Sequence, residues 1–287
     1  RWLLVGDPDQ LPPVSFGLVF HVAARSTTVP VRRLKRIYRH GESTGIPEVA
    51  RLVREGAVPP LLEFCGTAAG VSFVDAPRDR IVSAIEVVVA ALEWSDTQIL
   101  CVKNSGPGSV DAVNTHFQAL LTGARRRLGD WQLAEDDPII FTENDYDRDL
   151  YNGSIGRLER VLDEEAVDGE ETSVRAICRF DDRSLPFADQ DLMKVDLCYG
   201  MTTHKAQGSQ WNRVVVSVVE SRILDRTLLY TALTRGRSQV IFVGERAAFE
   251  RAIKSPPTAH TRSVGFSLNS ISEPAGKPEA EGATSLP

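Results

Sequence analysis

A chain of 287 residues has room for about two domains of ordinary size and a sizeable hydrophobic core. Its 42% hydrophobic and 25% charged composition excludes the collagen-like and intrinsically disordered classes, and 33 Lys and Arg against 39 Asp and Glu give a net charge of −6. Cys65, Cys101, Cys178 and Cys198 form no CxxC pair, which excludes a zinc ribbon and a thioredoxin-type site and suits a reducing cytoplasm.

The chain opens on Arg1-Trp2-Leu3-Leu4-Val5, which reads as a buried strand entered midway, so a fragment of a longer protein is expected. Gly6-Asp7-Pro8-Asp9-Gln10-Leu11-Pro12-Pro13 follows as a loop that Gly and Pro hold out of regular structure. Over 45–56, Ile46, Val49, Leu52 and Val53 recur at helical spacing, and Gly56 stands where a terminating glycine belongs. Ile81, Ile85, Val88, Val89 and Leu92 predict a second helix. The longest apolar run, Ile81 to Trp94, is broken by Glu86 and is too short to span a bilayer, so no membrane partner is expected. A short strand at 97–102 precedes a third helix at 109–123, with Val110, Val113, Phe117, Leu120 and Leu121 on one side. Helices alternating with short apolar strands predict a mostly parallel sheet covered on both faces.

The pattern changes over 138–195. Strand-like runs at 138–142, 155–162 and 174–180 are separated by turn signals, which predicts a small antiparallel barrel inserted into the α/β domain. The α/β pattern resumes with a strand at 213–219, a helix at 227–234 capped by Asp225, and a strand at 239–243. From 255 the chain is rich in Pro, Ser, Glu, Ala and Gly, and a disordered tail is expected.

The acidity is uneven. Residues 1–60 carry 9 basic and 5 acidic groups, 141–195 carry 7 and 15, and 196–250 carry 7 and 5. A polyanion site built from the basic outer segments is therefore compatible with an acidic chain.

Four segments carry chemistry. The first is the loop at 6–13, and the second is the basic stretch Leu34-Lys35-Arg36-Ile37-Tyr38-Arg39-His40. The third, Tyr199 to Trp211, crowds Thr202, Thr203, His204 and Lys205 around a turn ended by Gly208, a place suited to holding phosphates. The fourth, Leu229 to Arg237, delivers Arg235 and Arg237 from a helix end, where a rigid guanidinium can stabilise a transferring phosphoryl group. Each segment has a plainer reading by itself: a braced turn, a solvated basic stretch, a helix ending in glycine, and a surface arginine pair.

In this order the segments resemble the RecD-like branch of the superfamily 1 DNA helicases, beginning at motif III. The loop at 6–13 is similar to motif III, Arg39 sits in motif IV, Thr202–Gln210 in motif V and Thr231–Arg235 in motif VI. Asn144-Asp145-Tyr146 followed by Asn152-Gly153-Ser154-Ile155-Gly156 resembles the entry to the SH3-like barrel that this branch inserts into its second motor domain.

The resemblance implies an α/β fold: a RecA-like motor domain of the P-loop NTPase type with a parallel sheet and an inserted small SH3-like β-barrel. The implied boundaries are 1–33 for the end of a first RecA-like domain, 34–137 and 196–254 for the second, 138–195 for the barrel and 255–287 for the tail. It further implies the C-terminal part of an ATP-dependent helicase or translocase moving 5′ to 3′ on single-stranded DNA and at duplex forks. Gln10 would sense the γ-phosphate, Arg39 would contact it, and Arg235 would be the arginine finger. Gly208 and Gln210 would lie near the nucleotide, and Thr202, His204 and Lys205 would meet the DNA.

The phosphate-cradling G-x-x-x-x-G-K-[ST] loop is absent from these 287 residues, as is an acidic pair for Mg²⁺ ahead of motif III. ATP and Mg²⁺ are therefore expected to be held largely by another segment, and this chain alone is not expected to hydrolyse ATP. Two positions depart from the family pattern: His40 where Gln is commoner, and Gln210 where Glu is commoner. Two alternatives stand beside this reading, a non-hydrolysing module that grips single strands and the helicase portion of a conjugative relaxase.

Overall fold

The computed structural model describes residues 2–13, 17–33, 44–92, 94–123, 125–162, 174–257 and 262. Arg39, His40 and nearly all of the expected tail lie outside the described residues.

The chain divides into two units. The first comprises Arg1–Pro8, Pro12–Arg36 and Ala259–Pro287; the second comprises Asp9–Leu11 and Ile37–Thr258. Among its described residues the first unit holds one short helix, α1 (Val19–Arg25). The strand expected at 1–5 does not form over 2–5, and Trp2, Leu3 and Val5 are 98%, 87% and 85% exposed. An extended segment leaves its amides and carbonyls unpaired without a neighbouring strand, and the unit offers none among its described residues.

The second unit begins with α2 (Ile46–Glu55), followed by β1 (Leu62–Glu63), β2 (Gly70–Asp75), α3 (Ile81–Ala90), β3 (Thr97–Cys101) and α4 (Val110–Thr122). Two short strands, β4 (Arg127–Leu128) and β5 (Leu133–Ala134), lead to the antiparallel strands β6 (Pro138–Phe141), β7 (Ile155–Val161), β8 (Val174–Phe180) and β9 (Arg183–Ala188). A one-turn helix α5 (Asp189–Leu192) connects β9 to β10 (Val195–Leu197). Then come β11 (Gly200–Thr202), β12 (Trp211–Val218), α6 (Arg226–Leu233), β13 (Gly236–Gly244) and α7 (Arg246–Lys254).

Six strands form one parallel sheet in the order β1-β2-β13-β12-β3-β11. Its central strands are apolar on both faces: Val214, Val215 and Val216 of β12 and Val240, Ile241, Phe242 and Val243 of β13 are fully buried. That is the pattern of a parallel sheet covered by helices, because neither face meets water.

The periodic segments become the helices that cover it. α2 buries Ile46, Ala50 and Val53 and stops at Gly56, whose φ of 80° is the left-handed conformation that favours glycine. α3 buries Ile81, Ile85, Val88 and Val89. Ser109 caps α4 by accepting a hydrogen bond from the Ala112 amide at 3.2 Å. Val113 and Phe117 of α4 are buried, but Leu120 is 52% exposed, so the expected apolar side is narrower than its sequence suggested.

The middle region forms a five-stranded antiparallel sheet in the order β10-β6-β7-β8-β9. It has its own core, in which Phe141, Phe180 and Phe187 surround Leu158, Ala176 and Leu192, and the Phe180 and Phe187 rings stack at 5.8 Å. The chain enters this module beside Asp137 and leaves beside Tyr199, and the two crossings are tied together. The fully buried Asp137 carboxylate accepts from the Tyr199 hydroxyl at 2.7 Å, the Gln118 amide at 2.7 Å and the Ala134 backbone at 2.8 Å. Asn114 of α4 donates to the Leu197 carbonyl and accepts from the Gly200 amide, both at 2.8 Å.

Candidate functional site

The site is built at the ends of α6 and β11, beside the chain segments that lead into β13 and β12. Asp225 starts α6 by accepting from the Leu228 amide at 2.9 Å, and the helix buries Leu228, Leu229, Ala232 and Leu233. With that face fixed, the residues just past the helix are held at a set angle.

Arg235 follows α6 directly and is only 4% exposed. Its Nε donates to the Thr231 carbonyl at 3.1 Å and its Nη1 to the Ser209 carbonyl at 3.2 Å. Its Nη2 donates to Thr234 Oγ1 at 3.0 Å and to Gln10 Oε1 at 3.1 Å. A guanidinium held at all three nitrogens has little rotational freedom, so the charge is aimed rather than merely present.

Residues 9–11 are strapped to this corner. The Leu11 amide donates to Thr231 Oγ1 at 2.9 Å, and that hydroxyl donates in turn to the Thr227 carbonyl at 2.8 Å. The Leu11 carbonyl accepts from Gln207 Nε2 at 3.0 Å, and Asp9 lies 3.9 Å from Arg54 of α2. Gln210 completes the corner, its Nε2 donating to the Thr234 carbonyl at 3.1 Å. A carboxylate at position 210 could not make that bond, since it has no proton to donate and would face a carbonyl oxygen. Gln10, Gln210 and Arg235 are thus brought together. Gly208 adjoins them with a φ of 94° and nothing within 4 Å of where a Cβ would stand.

The other expected residues sit at the opposite end of the same loop. Thr202 closes β11, and its hydroxyl accepts from the Lys205 amide at 3.2 Å, which caps the turn through His204. His204 is half-buried, whereas Lys205 is exposed with its Nζ 3.5 Å from Asp196. Thr203, next to them, is fully buried, and its hydroxyl oxygen makes no hydrogen bond among the described residues. Arg39 lies outside the described residues.

Two features escaped the sequence reading. One is Thr231 as the hydroxyl that ties residues 9–11 to α6, a role the string Tyr230-Thr231-Ala232 does not announce. The other is a cleft of about 480 Å³ between the 149–155 loop of the antiparallel module and the 205–211 loop, lined by Tyr151, Asn152, Lys205, Gln207 and Trp211 among others. A large aromatic in a turn-rich, polar loop was the available signal for Tyr151.

Three of the four cysteines, Cys101, Cys178 and Cys198, are buried. Burial pushes the Cys178 and Cys198 thiols up to about 12 and raises Cys101 further, so all three stay protonated. Among the described residues no group of three or more His, Cys, Asp or Glu is placed to hold a metal ion, and no helix is long and apolar enough to cross a membrane.

Comparison with known proteins agrees with this architecture. Residues 197–243 match the UvrD-like helicase C-terminal domain, and residues 1–76 match an AAA domain. The chain is 30% identical over 257 residues to the ATP-dependent RecD2 DNA helicase of Deinococcus radiodurans, a match covering 88% of this chain and 34% of that protein. It is 33% identical over 279 residues to the RecBCD enzyme subunit RecD of Mycolicibacterium smegmatis, covering 88% of this chain and 47% of that one. The chain therefore spans between about a third and a half of the length of these curated relatives. The crystal structure of the Pif1 helicase from Bacteroides shares the fold, with a TM-score of 0.52 and 17% identity over 89% of this chain and 64% of that one. The order of the four motifs, the RecA-like parallel sheet and the two RecD similarities mark this chain as similar to the RecD-like branch of the superfamily 1 helicases over 88% of its length.

Proposed function

We propose that this chain supplies the nucleotide-closing corner and part of the strand-binding surface of an ATP-dependent DNA helicase that moves 5′ to 3′. The observation that carries the reading is the fixed guanidinium of Arg235 bonded to Gln10 beside Gly208 and Gln210. A triphosphate brought to this corner would offer Arg235 an anionic oxygen in place of the neutral Gln10 amide, replacing a charge–dipole bond with a pairing of opposite charges, which is stronger at the same distance. Gln10 released from Arg235 would then report nucleotide occupancy to residues 9–11 and to the loop that Gln207 holds. No atom lies within 4 Å of where a Cβ would stand at Gly208, which leaves the backbone there open to an approaching nucleotide. Gln210 keeps its Oε1 as an acceptor for a ribose hydroxyl while its amide stays on Thr234.

In this reading Arg235 is the arginine finger, Arg39 a second γ-phosphate contact, and Thr202, His204 and Lys205 meet the DNA backbone. ATP arrives with Mg²⁺, which neutralises phosphate charge during transfer. The direction of travel rests on the resemblance to the RecD-like branch, as does action at duplex forks. The antiparallel module is read as an SH3-like barrel, supported by its five-strand order and by the one-turn helix α5 between its last two strands. The boundaries 1–33, 34–137, 138–195 and 196–254 follow for the parts of the motor.

The test is DNA-stimulated ATP hydrolysis by this chain joined to a domain carrying the missing phosphate-cradling loop. Arg235→Ala is expected to lower kcat by about 10³-fold or more, the range of arginine fingers. Unchanged hydrolysis would overturn the assignment.

A further inference from the structure

The cleft between the 149–155 and 205–211 loops shares Gly208 and Gln210 with the nucleotide corner, but its 149–155 side is unlike a phosphate site. Among its lining residues the carboxylates Asp149 and Asp181 outnumber the single ammonium of Lys205, which itself lies 3.5 Å from Asp196. A sugar-phosphate backbone placed inside would meet net repulsion.

What the cleft offers instead is an aromatic face and amide edges. Tyr151 lines it and is 48% exposed. The ring is held from two sides: its hydroxyl donates to Asp149 Oδ1 at 2.7 Å, and Tyr146 packs edge-on at 6.2 Å. The loop beneath is fixed as well, since the Tyr151 amide donates to Ser154 Oγ at 3.0 Å and the Asn152 amide donates to Asn144 Oδ1 at 2.9 Å. An exposed aromatic held in place loses little entropy when a flat partner stacks on it. The side chains of Asn152 and Gln207, also in the lining, carry both donors and acceptors.

We propose that Tyr151 stacks on one nucleobase of a single strand whose backbone passes along the Lys205 side, so that the inserted module contributes base contact while the motor sheet contributes phosphate contact. This deepens the strand-binding reading above and rests on it. The occupant is an unpaired nucleobase: a paired one has both faces stacked within the duplex and cannot reach Tyr151.

The experiment is binding of the full chain to fluorescent oligothymidylate as a function of salt, by anisotropy, with a second oligonucleotide of equal length built from abasic residues. Tyr151→Ala is expected to weaken oligothymidylate binding on the order of tenfold without changing the slope of log K against log salt. Tyr151→Phe keeps the stacking ring and is expected to bind like the unmodified chain, while the abasic strand is expected to bind both equally. Lys205→Ala is expected to reduce the salt slope by about one phosphate's worth. If Tyr151→Ala binds oligothymidylate as tightly as the unmodified chain, or lowers abasic binding equally, the stacking role is overturned and strand binding stands. If the unmodified chain binds no oligonucleotide even at low salt, strand binding itself fails, and this inference with it.

Discussion

Arg235 and Gln10, 225 positions apart, are joined at 3.1 Å by a bond from the guanidinium Nη2 to the amide Oε1. The bond links the loop resembling motif III to the end of α6 and is made at a nearly buried arginine. Removing either partner should therefore be felt in folding as well as in chemistry. Gln10→Ala is expected to cost about 1 kcal/mol and Arg235→Ala about 2–3 kcal/mol, with a coupling energy of about 1 kcal/mol between them in a double-mutant cycle read by urea unfolding. Strict additivity would show that the pair does not interact in solution. Arg235→Lys should fall close to Arg235→Ala, because an ammonium cannot reproduce the three-nitrogen fork.

The Thr231 hydroxyl both accepts from Leu11 and donates to Thr227. Thr231→Val keeps the shape and removes both bonds, leaving the Leu11 amide without that acceptor. A loss of about 1–2 kcal/mol is expected, together with faster hydrogen exchange at Leu11 in a site-resolved measurement. Unchanged exchange at that amide would remove Thr231 as the tie between residues 9–11 and α6.

Asp137 joins the antiparallel module to the motor sheet through donors from Tyr199, Gln118 and Ala134. Burial and the adjoining Asp137 carboxylate hold the Tyr199 phenol well above its usual range, so it remains a donor at all physiological pH values. Asp137→Asn would turn an amide donor towards one of those donors, and about 3 kcal/mol of destabilisation is expected. Tyr199→Phe should cost about 1 kcal/mol. Equal, small effects of the two substitutions in denaturant titrations would argue against a buried carboxylate at this joint.

The Arg148 guanidinium hydrogen-bonds Asp145 and holds its carboxyl below the usual value of 3.8. A group whose folded pKa is lowered contributes stability that is present above the unfolded value and is lost as pH falls through the folded value. The contribution of Asp145 should accordingly be constant from neutral pH down to about pH 4 and disappear only below that. Comparing Asp145→Asn with the unmodified chain in unfolding experiments from pH 7 to pH 2 checks the sign: the difference between them must shrink on the acid side. A difference that grows below pH 4 contradicts it.

Gly208 takes a φ of 94° in open space, so a methyl group there meets no atom and any cost is that of the backbone. Gly208→Ala is expected to lose about 1 kcal/mol and to weaken nucleotide binding, because relaxing φ displaces Gln210 two residues on. Loss of stability with unchanged nucleotide affinity would detach Gly208 from the nucleotide corner.

The elements that could be read from sequence alone were those whose information is local. The apolar spacing in α2, α3 and α4, the capping oxygen of Asp225, and the terminating Gly56 each act within a turn or two of their own position. The continuous apolar runs of β12 and β13 likewise announce strands buried on both faces. Short or mixed segments were missed: β2, with Ser72 amid apolar neighbours, and α7, whose buried face of Ala248, Phe249, Ala252 and Ile253 is half alanine.

The motif order carried the resemblance to the RecD-like branch because each motif is a short string, and its residue types are set by chemistry rather than by distant packing. Only the tertiary structure decided which oxygen each donor would find. It placed Gln10 on Arg235, Leu11 on Thr231 and Tyr199 on Asp137, pairs separated by 225, 220 and 62 positions. It also denied residues 2–5 the strand that their composition promised. A periodic pattern says which face of an element is apolar, but a hydrogen-bond partner or a neighbouring strand is chosen when the chain closes on itself, and neither choice is written at the position that makes it.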